Sequence, residues 1–194
     1  MIDDALHIIS EQLNQFLKLR FDMTENMVTL SYVVNQDGSV ANDEKNKVIF
    51  SLVDISEEVF ANGQGQYRSS QYGEYVARPD MHLNLQVGFF AYFNPGNYNE
   101  ALKFTSAVIQ FFHSKPSFTQ QNTPALADRG IEKLHFEILH LDSNSKNNLW
   151  ATLGAKYMPS IIYKVRAVMI EDASVQGYLE TIRTMDIDMR KKDK

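Results

Sequence analysis

The chain has 194 residues, 44% of them hydrophobic and 22% charged, which is typical of one soluble globular domain with a short appendage. It contains no cysteine, which excludes disulfides, a thiol nucleophile and cysteine-ligated zinc or iron–sulfur centres. The net charge of −5 argues against nucleic-acid binding, because a phosphate-binding surface needs an excess of basic residues.

Hydropathy and the first residues give no signal for a membrane. No apolar run approaches the roughly 18 residues that a membrane span requires. Asp3 and Asp4 stand where a secretory signal would carry basic residues. We therefore expect a chain that is made and folded in the cytoplasm.

The first third of the sequence predicts one helix followed by two strands. Apolar residues recur at three- and four-residue spacing over residues 2–20, which predicts an amphipathic helix. Residues 27–34 alternate like a half-buried strand, with Tyr32 on its apolar face. Residues 48–55 are apolar on both faces, which is typical of an interior strand.

Residues 62–79 form a long polar segment rich in Gly, Gln and Ser. This composition predicts a loop, and loops of this length within a compact domain are either functional or disordered. The sequence leaves two interpretations open, a mobile surface excursion or a segment that orders against a partner.

The clearest strand covers residues 81–93, where every odd position is apolar. Residues 98–113 predict a helix that is apolar on most sides, so we expect the sheet to bury one face and another element to bury the other. Residues 114–130 contain Pro116 and Pro124 among polar residues and are predicted as loop.

The last elements are a strand, a short helix and a second strand. Residues 132–139 alternate, with Ile138 among the side chains expected to point inward. Asp142 and Gly154 are typical first and last boundary residues of a helix. Residues 160–170 place an apolar face opposite Lys164 and Arg166.

The predicted order of elements is therefore α-β-β-β-α-β-α-β. This order indicates an α+β fold, a single sandwich of a mostly antiparallel sheet with two or three packed helices. Residues 1–170 are predicted to form this domain. Residues 171–194 are predicted to be a C-terminal extension with a basic end.

A search for catalytic groups finds no phosphate-binding glycine loop and no serine beside a general base. His82, His135 and Glu137 lie on polar strand faces and are the remaining candidate for a metal-dependent enzyme. The same alternation is expected on any solvent-facing strand, so we predict no catalytic, cofactor or metal site. Trp150 beside two leucines is interpreted as a core anchor.

Several segments are similar to one known family. They are residues 1–6 with Leu13 and Asn14, 83–87, 98–104, 108–112, and the most specific segment, 149–160 (Leu-Trp-Ala-Thr-Leu-Gly-Ala-Lys-Tyr-Met-Pro-Ser), which runs on into 163–166. Together these segments resemble the tail-terminator or cap family of phage-tail-like contractile injection systems, the type found in the Photorhabdus virulence cassette and the antifeeding prophage.

The resemblance implies a tail-terminator-like fold and a non-enzymatic structural role without cofactors. The family forms a six-fold homo-oligomeric ring at the distal end of an inner tube and its contractile sheath. The ring stops polymerisation of the tube protein and anchors the sheath protein. It implies no contact with nucleic acid and no direct membrane insertion, and a chain that leaves the cytoplasm only as part of an assembled particle.

The resemblance also suggests residues for contacts with neighbouring subunits. They are Lys164, Arg166, Lys156, Tyr157, Arg68, Tyr72, Arg190, Lys191 and Lys192. Tyr157 is expected to contribute packing as well, together with Trp150. A solvated strand face explains Lys164 and Arg166 almost equally well. The alternative function is a baseplate or tube–sheath adaptor subunit of the same machine.

Overall fold

The structure, a computed structural model, describes residues 1–35, 38–39, 46–58, 66–70, 73–77 and 81–169. For residues 66–70, 73–77, 81 and 169 it describes the backbone alone. The chain divides into two units, Met1–Val59 with Asp80–Ile170, and Phe60–Pro79 with Glu171–Lys194. Within the described ranges, no helix is both long and apolar enough to cross a membrane.

The described residues form three α-helices and eight strands. The helices are α1 (Ile2–Phe21), α2 (Tyr98–Ser114) and α3 (Ser143–Leu153). The strands are β1 (Val28–Leu30), β2 (Lys47–Glu57), β3 (Gln66–Ser70), β4 (Gly73–Ala77), β5 (Met81–Tyr92), β6 (Ser117–Thr119), β7 (Ile131–Ile138) and β8 (Ser160–Met169). Short 3-10 helices cover Pro95–Asn97 and Pro124–Arg129.

The first unit is built on a six-stranded sheet in the order β1-β2-β5-β8-β7-β6. β1 runs parallel to β2, and the other neighbouring strands are antiparallel. The mostly antiparallel α+β architecture predicted from the sequence is thereby confirmed. In the second unit, β3 and β4 pair as an antiparallel two-stranded sheet.

Helix α1 is anchored to the edge of this sheet by a polar side chain. Its apolar stripe is buried as its periodicity predicts, and Asn14 lies within that stripe. The Asn14 side-chain oxygen accepts from the backbone N–H groups of Met27 and Val28, each at 2.9 Å, and its amide donates to the Val28 carbonyl at 2.9 Å. The buried amide therefore satisfies the backbone of the chain where β1 begins.

The core between the sheet and helices α1 and α2 is dominated by aromatic rings. Phe89 of β5 stacks on Phe50 of β2 with centroids 4.4 Å apart. Phe112 of α2 stacks on Phe136 of β7 at 4.3 Å and packs against Tyr163 of β8 at 4.8 Å. Phe112 also lies 5.3 Å from Phe89, so rings from β5, β7 and β8 meet this ring of α2, and each such pair adds about 1 kcal/mol beyond its buried area.

The opposite face of the sheet is covered by α3 over part of its length. Ile49, Phe90 and Ile162 are buried there and form a second, smaller core. The Trp150 ring packs edge-on against Phe90 with centroids 5.6 Å apart, which confirms its packing role. The sheet is therefore covered by helices on both faces, but unequally.

The predicted boundaries of α3 are correct, and the contacts explain them. The Asp142 carboxylate accepts a hydrogen bond from the backbone N–H of Ser145 at 2.8 Å, as an N-cap should. This bond lowers the pKa of Asp142. Gly154 ends the helix with φ 65°, a left-handed conformation that favours glycine.

Two segments predicted as loops contain regular structure. Within residues 62–79 the backbone pairs as β3 and β4, because sheet hydrogen bonds involve the main chain and do not require apolar side chains. Residues 114–130 contain β6 and a 3-10 helix, and they bury Phe118 and Leu126. The strands and the 3-10 helix in these segments were not predicted because both segments are rich in polar residues.

The burial predicted at two strand ends is also wrong. β1 ends at Leu30, and Tyr32 is 79% exposed, because only three residues of β1 pair with β2. Ile138 is 57% exposed at the end of β7. Both errors arise because alternation continues in the sequence beyond the point where packing stops. Residues 171–194 lie outside the described residues.

The side chains of Phe90 and Ile162 lie against the backbone of Gly88 on β5, so we predict that this position tolerates no larger residue. A Cβ atom there would lie 2.9 Å from Cδ1 of Ile162 and closer still to the Phe90 ring. We expect Gly88→Ala to lower the free energy of unfolding by about 1–3 kcal/mol through overpacking, as measured by urea denaturation. Gly96→Ala is the matched control, because no atom lies within 4 Å of its added Cβ. Equal midpoints for both variants would contradict this packing.

Candidate functional interface

The face of the six-stranded sheet that points away from α1 and α2, here called the outer face, carries a cluster of polar side chains. Side chains alternate along β8, so Lys164 and Arg166 share this face with the buried Ile162. In the sheet register, Lys164 lies between Gln86 and Glu137 on the flanking strands. The outer face is therefore apolar beneath α3 and polar beyond it.

The polar half of the outer face is organised around Glu137. Arg166 Nη2 lies 3.2 Å from the Glu137 carboxylate, and His135 Nε2 lies 3.6 Å from its other oxygen. His135 Nδ1 in turn lies 2.7 Å from the Ser117 hydroxyl. Side chains of β6, β7 and β8 are thus linked across the sheet into one polar network.

This network does not form a metal site. His82 lies on β5 opposite Val168, so β8 separates it from His135 on β7. No three His, Asp or Glu side chains converge to hold a metal ion anywhere in the described ranges. The Glu137 carboxylate contacts Arg166 and His135 of its own sheet instead.

The α3 end of the outer face carries a cleft of about 250 Å³ with both apolar and polar lining residues. Its lining residues are Leu139, His140, Leu141, Lys146, Leu149, Trp150, Tyr157, Ser160, Ile161 and Ile162. Tyr157 is 80% exposed, although its ring lies 5.5 Å from that of Trp150. None of the residues of α3 is fully buried, so the helix leaves much apolar surface half open to solvent. Apolar surface of this kind marks interaction sites.

The structure brings three of the nine predicted contact residues, Lys164, Arg166 and Tyr157, to one side of the sheet. Lys164 and Arg166 lie on the polar half of the outer face. Lys156 and Tyr157 follow α3, where both are exposed. Arg68 lies on β3, in the part of the structure described by backbone alone.

The remaining predicted contacts cannot be placed on the fold. They are Tyr72, Arg190, Lys191 and Lys192, which lie outside the described residues. Their role as contacts remains a prediction.

Sequence reasoning missed the polar network that includes Arg166. Ser117 lay in a segment predicted as loop, and Glu137 was considered only as a metal ligand. One signal could have found the ion pair. His135 and Glu137 occupy alternate positions on the polar face of β7, and Lys164 and Arg166 do the same on β8, so the two sets would meet if the strands were neighbours. Strand adjacency, however, is not encoded in either segment alone.

The sequence matches a known protein family over most of its length. The model of the Pvc16 N-terminal domain family matches residues 4–181, which is most of the chain. The chain belongs to this family. The family resemblance inferred from the sequence segments is confirmed.

Two solved structures share the fold of this family member. One is a PVC sheath/tube terminator in the extended state, from an extracellular contractile injection system, with a TM-score of 0.65 and 14% identity over 100% of this chain. The other is the tube-terminating cap of the anti-feeding prophage, with a TM-score of 0.55 and 14% identity over 91% of this chain. The matched regions cover 65% and 60% of those two chains. No protein of curated function matches the chain in sequence.

The cleft predicts different roles for its two aromatic residues. Because Trp150 is half-buried against Phe90, we expect Trp150→Ala to lower the free energy of unfolding by about 2 kcal/mol in urea denaturation. Tyr157→Ala should cost less than about 1 kcal/mol, since it removes one ring contact from an exposed side chain. A larger loss for Tyr157→Ala would identify it as a core residue rather than a surface available for contacts.

Proposed function

We propose that this chain is a structural cap that terminates the inner tube and sheath of a contractile injection system. The observation that carries the proposal is membership of the Pvc16 N-terminal domain family over residues 4–181. The likeness of the whole chain to a sheath/tube terminator and of most of it to a tube-terminating cap supports the same role. The role is non-enzymatic, and its chemistry is that of protein–protein contact.

The cap acts as a homo-oligomer, a hexameric ring, whose partners are the inner tube protein and the sheath protein. A ring in which each subunit presents one surface to the next closes without leaving a free growing end. The exposed Tyr157 and Arg166 of the outer face are residue types that are enriched at such interfaces. The role requires no nucleic acid and no membrane insertion.

Residues 1–170 act as the cap domain, and residues 171–194 act as an extension that reaches a neighbouring subunit. Its Arg190, Lys191 and Lys192 supply positive charge for an acidic partner surface. Arg68 and Tyr72 belong to a segment that contacts the tube. The chain is made in the cytoplasm and then becomes part of the assembled particle.

The proposal is tested by electron microscopy of particles from cells with and without the gene for this chain. Without the cap we expect over-long or ragged tubes and sheaths without an end structure, on intact baseplates, because nothing stops subunit addition. Particles of normal length with normal ends would overturn the terminator role. Defective baseplates instead would favour an adaptor subunit.

A second test addresses the cations of the outer face. We expect the double variant Lys164→Glu/Arg166→Glu to reduce the fraction of capped particle ends roughly tenfold, which corresponds to a loss of about 1.4 kcal/mol of contact energy. Lys103→Glu is the matched control, since Lys103 is an exposed cation on α2, which packs on the opposite face. Circular dichroism verifies that both proteins are folded. Equal capping by the two variants would exclude the outer-face cations as contacts.

A further inference from the structure

The cleft at the α3 end of the outer face combines apolar walls with basic lining residues. Its lining includes the buried Ile162, the half-buried Trp150 and the exposed Tyr157. Lys146 and His140 are its basic lining residues, and none of its lining residues is acidic. A partner side chain that fills this cleft should therefore be apolar, with negative rather than positive charge beside it.

Two acidic residues lie near the cleft, and both are already bound within the chain. The Asp142 carboxylate accepts a backbone hydrogen bond at the start of α3, and the Glu137 carboxylate lies 3.2 Å from Arg166. Lys146 of the lining and Lys164, two residues beyond the lining of β8, form no ion pair within the described ranges. Two unpaired lysine side chains are thus available to carboxylates from outside.

The far end of β2 carries an exposed apolar side chain between acidic residues. β1 pairs only with residues 48–50 of β2, so residues 54–57 are all exposed and have a strand neighbour only in β5 among the described residues. Ile55 is 48% exposed there. Asp54 and Glu57 lie on either side of it, and neither forms an ion pair with another described residue. This segment has the apolar and acidic character that the cleft requires.

Apart from Tyr157 itself, the two most exposed apolar side chains in the described ranges lack these charges. Leu19 lies between Lys18 and Arg20, whose positive charges would be repelled by the lysines near the cleft. Tyr32 has uncharged neighbours on both sides. Among the exposed large apolar residues that the structure describes, only Ile55 has an unpaired carboxylate within two positions on each side.

The cleft and the end of β2 lie on different parts of the sheet. The cleft is lined by residues of β8 and by those that follow β7, whereas β2 lies on the other side of β5 in the strand order. Ile55 belongs to the inner face, in register with the buried Leu85, and the cleft opens on the outer face. One copy can therefore present both surfaces to two different neighbours at the same time.

We propose that this cleft binds residues 54–57 of a second copy, with Ile55 inside the cleft and its flanking carboxylates beside Lys146. Burial of apolar surface supplies affinity, and the opposite charges select the partner segment and its orientation. The contact is head-to-tail, since each copy uses a different surface to meet each neighbour, and such contacts close into rings when the rotation per copy permits. The inference rests on the proposed ring and identifies the surfaces that build it.

The absence of cysteine from the sequence allows a direct test. Ile55→Cys and Tyr157→Cys each replace an exposed side chain, the second of them at the cleft. In purified particles, the double variant treated with a short thiol-to-thiol crosslinker should give a ladder of covalent oligomers on a denaturing gel. Particles that contain a mixture of the two single variants should give dimers and nothing larger, because each chain then carries one thiol. Either single variant alone should give no product.

The matched control is the double variant Leu19→Cys/Tyr157→Cys, since Leu19 is 87% exposed on α1 and has basic neighbours. An equal ladder from this control would overturn the contact, because crosslinking would then not depend on the position of the thiol. Incorporation of the Ile55→Cys/Tyr157→Cys chain at the particle end without a ladder would overturn the contact and leave the capping role intact. A ladder from an isolated chain that never enters particles would support the contact while the capping role fails.

Charge reversal tests the electrostatic match separately. In the Ile55→Cys/Tyr157→Cys background, Lys146→Glu should lower the yield of the ladder roughly fivefold, and the further change Glu57→Lys should restore it. Lys103→Glu, which reverses an exposed cation on α2, should leave the yield unchanged. An unchanged yield with Lys146→Glu, or no recovery with Glu57→Lys, would overturn the proposed pairing of charges.

Discussion

The cluster of aromatic rings on the inner face of the sheet is the contact on which the rest of the structure depends. Phe89 at its centre packs against rings from β2, β8 and α2, so one cluster sets the spacing of three strands and a helix. Because strand side chains alternate, fixing the inner face also fixes which residues point outward. Tyr163 and Val165 are buried on the inner face, so Lys164 and Arg166, which alternate with them along β8, lie on the outer face.

The outer face is divided because one short helix covers only part of it. α3 is placed by its Asp142 cap, its Gly154 terminus and the contact of Trp150 with Phe90. Its half-buried residues cover an apolar patch incompletely, and the chain beyond it carries Tyr157 to the same side as the cations of β8. An exposed aromatic residue and an arginine near a half-covered cleft are a surface suited to a protein partner.

The edges of the sheet are short for a related reason. At β1, Asn14 uses its amide to bind the backbone of Val28, so a helix side chain stands where another strand would otherwise pair. β1 and β6 each pair over only three residues, so the far ends of the longer β2 and β7 have a strand neighbour on one side only among the described residues. Exposed edges are a liability in a monomer and an advantage in a subunit whose neighbours supply the missing strands.

Local sequence signals determined α1, β5 and α2, the N-cap and C-cap of α3, and the placement of Lys164 opposite an apolar face. They failed where burial stops within a pattern, at Tyr32 and Ile138, and where backbone pairing occurs in polar sequence, at β3, β4 and β6. The strand order, the network that links Arg166 to Ser117, and the two free edges were decided only by the tertiary structure. Periodicity reports how one segment is buried, whereas the neighbour of a strand depends on residues far away in the chain.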